Sequence, residues 1–95
     1  MYNKYTQIEL DNDKRDKTLA ERGLDFARAG EVFAVANVTN EDARASYGEQ
    51  RFVTGGWLDG RTVVLVWTPR GEVRRIISMR KANEREISKY AHLLG

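Results

Sequence analysis

Residues 74–82 of the chain are Arg-Arg-Ile-Ile-Ser-Met-Arg-Lys-Ala, an apolar strand segment flanked by cationic side chains. Side chains alternate between the two faces of a strand, so residues two apart share a face. A regular strand therefore places Arg80 on the face of Ile76, and Arg75 with Ile77 on the opposite face. Arginines at a strand end beside a helix start predict a phosphate-binding surface. Solvated charges at an ordinary sheet edge are the alternative interpretation.

The composition is that of one globular domain, which we place at residues 1–95. The chain is 41% hydrophobic and 32% charged, which excludes a disordered protein. It has no cysteine and one histidine, so we expect neither disulfides nor a conventional zinc site, and no cofactor. The longest apolar run, residues 63–67, is too short to cross a membrane, and residues 1–7 lack the apolar run of a signal peptide. We therefore expect a cytoplasmic protein.

The charge of the chain is unevenly distributed. Residues 1–49 carry 7 Lys/Arg against 10 Asp/Glu, whereas residues 50–95 carry 9 against 4. The overall net charge of +2 thus hides a basic C-terminal half. A basic surface favours an anionic partner such as nucleic acid.

Apolar periodicity and helix caps predict three elements in the first part of the chain. A strand is predicted at Thr6–Leu10. A surface helix follows from the N-cap Asp11 to about Arg22, with Leu19 as its main apolar side chain. Gly23 suits the left-handed position that ends such a helix. A second helix, capped by Asp25, is predicted at Phe26–Ala34.

Four strands and a last helix are predicted in the remainder. The strands are expected at Ala36–Asn40, Gln50–Trp57, Arg61–Thr68 and Glu72–Met79, with turn signals at Asp59-Gly60 and Pro69–Gly71. Asn83 and Glu86 form a capping box for the last helix, whose expected apolar face is Ile87, Tyr90, Ala91 and Leu94. The order β-α-α-β-β-β-β-α predicts an α+β fold. Its mostly antiparallel sheet of four to five strands is packed by two N-terminal helices and a C-terminal helix.

The familiar catalytic signatures are absent from the sequence, and Arg, Lys, Glu and Tyr remain. These residue types suit RNA cleavage in which the 2′-hydroxyl attacks the adjacent phosphorus, because arginines stabilise the charge on the phosphate oxygens. Arg51, Arg75 and Arg80 converge only if their strands are neighbours. Glu86 and Tyr90 share a helix face; capping and a site role explain Glu86 equally well, and core packing is favoured for Tyr90.

Three functional hypotheses are compatible with these residues: a ribonuclease, a module that binds RNA or DNA without cutting it, and an assembly component with no nucleic-acid role. The basic C-terminal half fits the first two. Pattern alone slightly favours the binding module, because no strong acid/base pair is visible.

Several short motifs occur in a characteristic order from Ile8 to Tyr90. They are Asp11-x-x-Lys14, Arg22-Gly23-Leu24-x-Phe26, Glu31-Val32-Phe33, Tyr47-Gly48-Glu49-x-Arg51, Gly55, Gly60, Val64-x-Val66, residues 75–82, Glu86 and Tyr90. In this order the chain resembles the BrnT toxins of bacterial type II toxin–antitoxin modules, which share the fold of RelE-type ribonucleases. It departs from many members at Leu10, at Thr18 and at Arg22, where they have an aromatic residue, Asn and His respectively.

The resemblance implies a RelE-like fold and a small ribonuclease that inhibits translation by degrading RNA, and it reverses the preference for a binding module. It also implies neutralisation by a BrnA-type antitoxin, through which alone the chain contacts operator DNA. The site residues that it implies are Arg80, Arg75 and Arg51, then Lys14, and more weakly Glu86 and Tyr90. Arg74 is expected to be the more expendable neighbour.

Overall fold

A computed structural model of the chain describes residues 7–42 and 48–94. The predicted beginning of the first strand at Thr6, and Tyr47 of the sequence motif, lie outside these residues. None of the helices in the described part of the chain is long and apolar enough to span a membrane.

The described residues contain one five-stranded sheet with the strand order β1-β5-β4-β3-β2. Its strands are β1 (Gln7–Glu9), β2 (Asn37–Glu41), β3 (Phe52–Leu58), β4 (Arg61–Arg70) and β5 (Val73–Lys81). β1 pairs in parallel with β5, and the other neighbours are antiparallel. The sheet is therefore mixed, and the expectation of a mostly antiparallel sheet matches only part of it.

Short turns explain the β3–β4 and β4–β5 pairs and leave β1 unexplained. In the β3–β4 hairpin, Leu58 pairs with Arg61, and both turn residues have positive φ, 52° at Asp59 and 74° at Gly60. These angles define a type I′ turn, whose twist matches that of the strands. β1 has no turn that joins it to β5, because the rest of the fold lies between them in sequence, so no local signal encodes its partner or direction.

The helices are α1 (Asn12–Arg22), α2 (Ala29–Phe33) and α3 (Glu84–Leu94). As predicted, the Asp11 carboxylate accepts from the backbone N–H of Asp13 and Lys14, and α1 ends at Gly23 in the left-handed conformation. The predicted second helix, Phe26–Ala34, is confirmed only in part. A 3₁₀ turn at Phe26–Arg28, capped by Asp25, passes into α2, which is only five residues long and contains Gly30, a poor helix former.

The hydrophobic core lies between one face of the sheet and the segment from Leu24 to α2. Its buried members are Leu24, Phe26, Ala29, Val32, Leu58, Val63, Leu65, Trp67, Ile76 and Met79. The Trp67 indole N–H donates to the Thr54 hydroxyl at 2.8 Å, so the one polar atom of this large side chain is satisfied inside the core.

Polar contacts attach α1 to the rest of the molecule. The helix has no buried residue, and Leu19, expected to hold it, is 44% exposed. Instead, the Arg15 guanidinium bonds the Asp25 carboxylate at 2.7 and 3.0 Å, and Arg22 donates to the Met79 carbonyl of β5 at 2.9 Å. Arg22 therefore has a structural role. Its contact is with the part of β5 that lies beyond the residues paired with β1.

Candidate functional site

A bulge in β5 determines which arginines share a face. Ser78 pairs with Val66 and Ile76 with Trp67, so Ile77 has no partner in this ladder. The extra residue reverses the alternation expected of a regular strand. Ile76 and Met79 both enter the core, although they are three residues apart. The expectation from regular alternation, which separated Arg75 from Arg80, is therefore wrong.

Arg75 and Arg80 lie on the face opposite the core. They pair with Thr68 and Val64 on β4, which are four residues apart on that strand and therefore share a face. α3 lies on this side of the sheet, since a Cβ on Gly55, the β3 partner of Val64, would meet the Tyr90 ring at 2.3 Å. We call this surface the α3 face.

The adjacent glycine confirms the assignment of the two faces. A Cβ on Gly56 would meet the Val32 side chain of α2 at 2.7 Å, so α2 and α3 lie on opposite sides of the sheet. We call the side of α2, which holds the core, the α2 face.

Arg75 lies in a row of residues that crosses the sheet. Its neighbours are Thr68 on β4 and Glu9 on β1, and its guanidinium forms an ion pair with the Glu9 carboxylate. Arg51 directly precedes Phe52, the first residue of β3 and the partner of Trp67, so the alternation continued by one residue brings it beside Thr68. Two strand spacings separate Arg51 from Arg75, which is roughly 10 Å between their Cα atoms.

The Arg51 side chain is partly buried at one end of this row. It lies 3.9 Å from the Glu49 carboxylate, which is also 3.6 Å from Arg70. The row therefore carries two guanidinium groups, Arg51 and Arg75, with carboxylates close to each. Each of the two arginines has a carboxylate nearby, and both lie on the same face of the sheet.

Arg80 lies four β4 residues from the Arg75 row, roughly 13 Å along the strand. Its two terminal nitrogens donate to both oxygens of Glu86 on α3, at 2.7 and 2.8 Å. Glu86 also accepts from the backbone N–H of Asn83, and Asn83 accepts from the N–H of Glu86, which is the predicted capping box. The cap therefore fixes the carboxylate that orients Arg80.

The ion pair sets the protonation of Glu86. The hydrogen bonds from Arg80, assisted by the Asn83 N–H and opposed by burial, lower the pKa of Glu86 to about 2. The pKa of Arg80 is raised in turn, chiefly by its hydrogen bonds to Glu86. Glu86 is thus a carboxylate at neutral pH, and such a low pKa makes it a weak proton acceptor in this arrangement.

Tyr90 is the buried anchor of α3. Its ring packs against Gly55, and the residue is 4% exposed. Burial first, and then the charge of Glu86, raise the pKa of Tyr90, against a smaller opposing effect of Arg80. The phenol is therefore neutral near pH 7, and core packing accounts for its position.

Lys14 lies at the flank of this surface. It lines a cleft of about 220 Å³ between α1 and β5, together with Ile77 and Ser78. The pKa of Asp11 is lowered first by the backbone N–H of Lys14, and the charges of Lys14 and Arg75 lower it further. Lys14 and Arg75 therefore both act on the same carboxylate at the beginning of α1, while Lys14 stays outside the row that holds Arg75.

Two residues near the site went unassigned in the sequence-based prediction. Glu9 is the ion-pair partner of Arg75 across 66 positions of sequence, and no local pattern predicts that contact. Ser78 pairs with Val66 and thus lies between the rows of Arg75 and Arg80. The only sequence signal for a role of Ser78 was its position inside the basic stretch 74–82.

Arg74 has a different role from its neighbour. Its guanidinium lies 3.8 Å from the centre of the Phe33 ring and 5.2 Å from that of Trp67, on the α2 face. Arg74 therefore covers the edge of the core with a cation–π contact. This position on the α2 face gives Arg74 a role in packing, and its expendability as a phosphate ligand stays a prediction.

The sequence of the chain also matches a known protein family. Residues 10–86 match the family described as ribonuclease toxin, BrnT, of type II toxin–antitoxin system. The chain belongs to the BrnT family. No individually curated protein matches it. The match spans most of the chain and includes every strand except β1. Of the six predicted site residues, Tyr90 alone lies outside the matched range.

Membership of the BrnT family assigns the chain to the ribonuclease toxins of type II toxin–antitoxin systems, and it implies an antitoxin as partner. The α3 face brings five of the six predicted site residues to one side of the sheet: Arg51, Arg75, Arg80, Glu86 and Tyr90. Lys14 is at its edge.

Proposed function

We propose that the chain is an endoribonuclease that cuts RNA on the α3 face and thereby inhibits translation. The observation that carries this proposal is the bulge at Ile77, which brings Arg75 and Arg80 to the same face as Arg51. Three guanidinium groups on one surface match the charge of an RNA backbone. Membership of a family of ribonuclease toxins supports cleavage rather than binding alone.

In the proposed reaction the 2′-oxygen of one nucleotide attacks the adjacent phosphorus. A new P–O2′ bond forms while the bond from phosphorus to the 5′-oxygen breaks. The 2′-hydroxyl proton is lost to a base or to solvent, and the departing 5′-oxygen takes up a proton. The products therefore end in a 2′,3′-cyclic phosphate and a 5′-hydroxyl group.

Arg80 is the main phosphate ligand in this proposal. A guanidinium has five N–H donors, of which Glu86 occupies two, and a third contact to the Lys81 carbonyl is long at 3.4 Å. Donors therefore remain for the charge that develops on the phosphate oxygens. Glu86 acts as the positioning residue of Arg80, and Tyr90 acts by holding α3 in place.

Arg75 and Arg51, in the row that crosses the sheet, bind the RNA backbone next to the phosphate that Arg80 holds. Both already have carboxylates nearby, so phosphate binding exchanges one anion for another rather than creating a new charge pair. Lys14 supports Arg75 from the flank as a further cation. We propose that the reaction needs no metal ion, because the arginines supply the positive charge that a metal supplies in other nucleases.

The proposed biological setting is the cytoplasm, with a BrnA-type DNA-binding antitoxin as the partner. The type II class of the family supports an antitoxin, and the BrnA type follows from the resemblance in sequence. In this proposal the chain contacts operator DNA only through that antitoxin.

Incubation of the purified chain with a defined RNA in the presence of EDTA tests the proposal. We expect cleavage that continues without metal and leaves 2′,3′-cyclic phosphate ends, which mass spectrometry of the fragments identifies. Cleavage that stops with EDTA and returns with a divalent ion would contradict the metal-independent mechanism. Fragments that carry 3′-hydroxyl ends would contradict attack by the 2′-oxygen.

The second candidate is a nucleic-acid-binding module without catalytic activity. The lowered pKa of Glu86 and the raised pKa of Tyr90 favour it, because neither group accepts a proton readily near pH 7. The same experiment separates the two functions. Binding of intact RNA with no fragments would favour the module, whereas fragments favour the ribonuclease.

A further inference from the structure

The helix α1 lies along the edge of β5, beyond the point where β1 ends. The last pair between β1 and β5 includes Arg75, and α1 begins three residues after β1. The pKa of Asp11, the N-cap of α1, is lowered first by the backbone N–H of Lys14 and also by the charge of Arg75, so this end of the helix lies near Arg75. At the other end, Arg22 donates to the Met79 carbonyl. α1 therefore runs beside the part of β5 that lies beyond β1, in the same direction as the strand.

The space between this helix and the strand is the cleft of about 220 Å³ that Lys14 lines. On its helix side are three cations, Lys14, Lys17 and Arg22. On its strand side are Ile77, at the bulge, and Ser78. One wall therefore carries positive charge, and the other offers an apolar surface and a hydroxyl group. We call this space the α1–β5 cleft.

Ser78 connects the α1–β5 cleft to the α3 face. It pairs with Val66, which lies on β4 between the partners of Arg75 and Arg80, and so it belongs to the same face as these two arginines. The two arginines lie roughly 13 Å apart along β5. An RNA strand that contacts both of them therefore passes the opening of the cleft at Ser78.

Two polar groups of the cleft are available to a ligand. Lys17 is exposed and forms no ion pair with residues 7–42 and 48–94, whereas Arg15 of the same helix bonds Asp25. The Ser78 hydroxyl likewise forms no hydrogen bond within the part of the chain that the structure describes. A single carboxylate in the lining, that of Glu21, opposes the three cations. The cleft therefore favours an anionic ligand.

We propose that the α1–β5 cleft is a subsite that binds one nucleotide of the RNA and selects its base. The base packs against Ile77 and forms a hydrogen bond with the Ser78 hydroxyl, while the Lys17 ammonium binds a phosphate oxygen. The subsite rests on the proposed ribonuclease function and supplies it with a base preference. Arg75 and Arg80 do not supply one, because contacts to the backbone position a nucleic acid without reading its bases.

The size and chemistry of the cleft fit a single nucleotide. Its volume of about 220 Å³ is below the roughly 300–1,000 Å³ of pockets that hold drug-sized ligands, so it takes one base and not a longer stretch of RNA. Ligand sites typically combine apolar walls with a few polar groups that fix orientation, here Ile77 and Phe26 with Ser78 and Lys17. Bases of single-stranded RNA are read in this way, turned out of the stack and bonded along their edges.

A segment of the antitoxin fits the cleft less well. A peptide strand added to the edge of β5 would bind through backbone groups, but the Met79 carbonyl at this edge already accepts from Arg22, and α1 lies alongside. A carboxylate side chain alone would bind Lys17 and leave Ile77 and Ser78 uncovered. The nucleotide uses both walls of the cleft.

The test titrates the isotope-labelled chain with each of the four nucleoside 3′-monophosphates and, separately, with inorganic phosphate. NMR spectra report the backbone amide groups that respond. We expect shifts at Lys17, Thr18 and Ser78, and tighter binding of one nucleotide than of the other three. Inorganic phosphate should bind more weakly, because it does not cover Ile77.

Two variants separate the contributions to the subsite. Lys17→Met removes the charge and keeps an unbranched side chain that suits a helix, and we expect the affinity for all four nucleotides to fall by roughly 10-fold. Ser78→Ala removes the hydroxyl, and the affinity for the preferred nucleotide should fall by roughly 3- to 10-fold, to the level of the others.

Arg61→Met is the matched control. It removes one positive charge from an exposed side chain of the β3–β4 hairpin, outside the cleft lining, and we expect wild-type affinity. Circular dichroism establishes that each variant is folded. Digestion of an RNA that contains every dinucleotide step extends the comparison to the reaction: the wild type should prefer one base beside the cut, and Ser78→Ala should cut the steps nearly equally.

Three binding results would overturn the subsite: shifts confined to other parts of the chain, equal affinity for inorganic phosphate and the nucleotides, or wild-type affinity in both variants. Weaker antitoxin binding by Lys17→Met with unchanged nucleotide binding would assign the cleft to the antitoxin instead. Cleavage of RNA without any base preference would contradict the subsite alone. A chain that binds a nucleotide in the cleft but cuts no RNA would contradict the proposed ribonuclease function alone.

Discussion

The two faces of the central sheet are covered in different ways. On the α2 face, apolar side chains from the sheet and from Leu24 to α2 are almost completely removed from water. On the α3 face, α3 contributes one buried residue, Tyr90, and the ion pair between Arg80 and Glu86. Burial supplies most of the stability of a domain, whereas exposed ion pairs supply little. The comparison indicates that the α2 face maintains the fold and leaves the α3 face available for binding.

Two arginines of β5, one on each face of the sheet, provide the sharpest test of this difference, and one of them gives the largest expected effect. Arg80→Ala removes a ligand of the phosphate on the α3 face, and we expect the rate of RNA cleavage to fall by roughly 100- to 1,000-fold. The melting temperature should change little, since the Arg80 side chain is 44% exposed. Single-turnover cleavage and thermal denaturation measure the two effects.

Arg74→Ala is the matched control on the α2 face. It removes the contact of the guanidinium with the Phe33 and Trp67 rings, and we expect a loss of about 1–2 kcal/mol of stability with nearly unchanged cleavage. If Arg74→Ala reduced cleavage as strongly as Arg80→Ala, the functional separation of the two faces would be wrong.

The adjacent glycines of β3 allow the same comparison with one added methyl group. Gly56→Ala places a Cβ 2.7 Å from Val32 in the packed core, and we expect a loss of roughly 1–3 kcal/mol of stability with activity retained. Gly55→Ala places a Cβ 2.3 Å from the Tyr90 ring. Since α3 has one buried residue, we expect it to shift, with a smaller loss of stability but a decrease in cleavage of roughly 100-fold.

Chemical denaturation and cleavage assays of both glycine variants measure these effects. Equal losses of stability in the two variants would show that α3 is held as firmly as α2. Equal losses of activity would show that the position of α3 does not control Arg80.

Local signals in the sequence account for much of the fold. The Asp11 cap, the Asn83 and Glu86 capping box and the Asp59-Gly60 turn depend on residues within a few positions of one another, and all three are as predicted. The parallel partner of β1 and the Glu9–Arg75 ion pair depend on distant residues, so no local pattern encodes them.

The site was predictable only in part for the same reason. Arg75 and Arg80 were selected by resemblance to a family, whereas regular alternation placed them on opposite faces. The bulge at Ile77 reverses the alternation, and its sequence is an ordinary apolar pair, Ile76-Ile77. The face that an arginine takes therefore depends on strand register, which is set by the packing of Ile76 and Met79 in the core.

The smallest expected effect is the pH dependence of the contact between α3 and the sheet. Arg80 lowers the pKa of Glu86 from 4.5 to about 2, so the pair stabilises the folded state above pH 4.5 and loses this contribution as the pH falls toward 2. Glu86→Gln removes the charge while the side-chain oxygen can still accept from the Asn83 N–H. Because Arg80 is substantially exposed, the difference in unfolding free energy should be under about 1 kcal/mol.

Urea denaturation of the wild-type chain and Glu86→Gln at several pH values measures this difference. Other carboxylates with a lowered pKa, such as Asp25 and Asp59, are present in both proteins, so their contribution cancels in the comparison. We expect the advantage of the wild type to be constant between pH 5 and 7, to decrease below pH 4.5, and to vanish only below pH 2. An undiminished advantage at pH 2 would mean that packing of the side chain, and not its ion pair with Arg80, attaches Glu86 to the sheet.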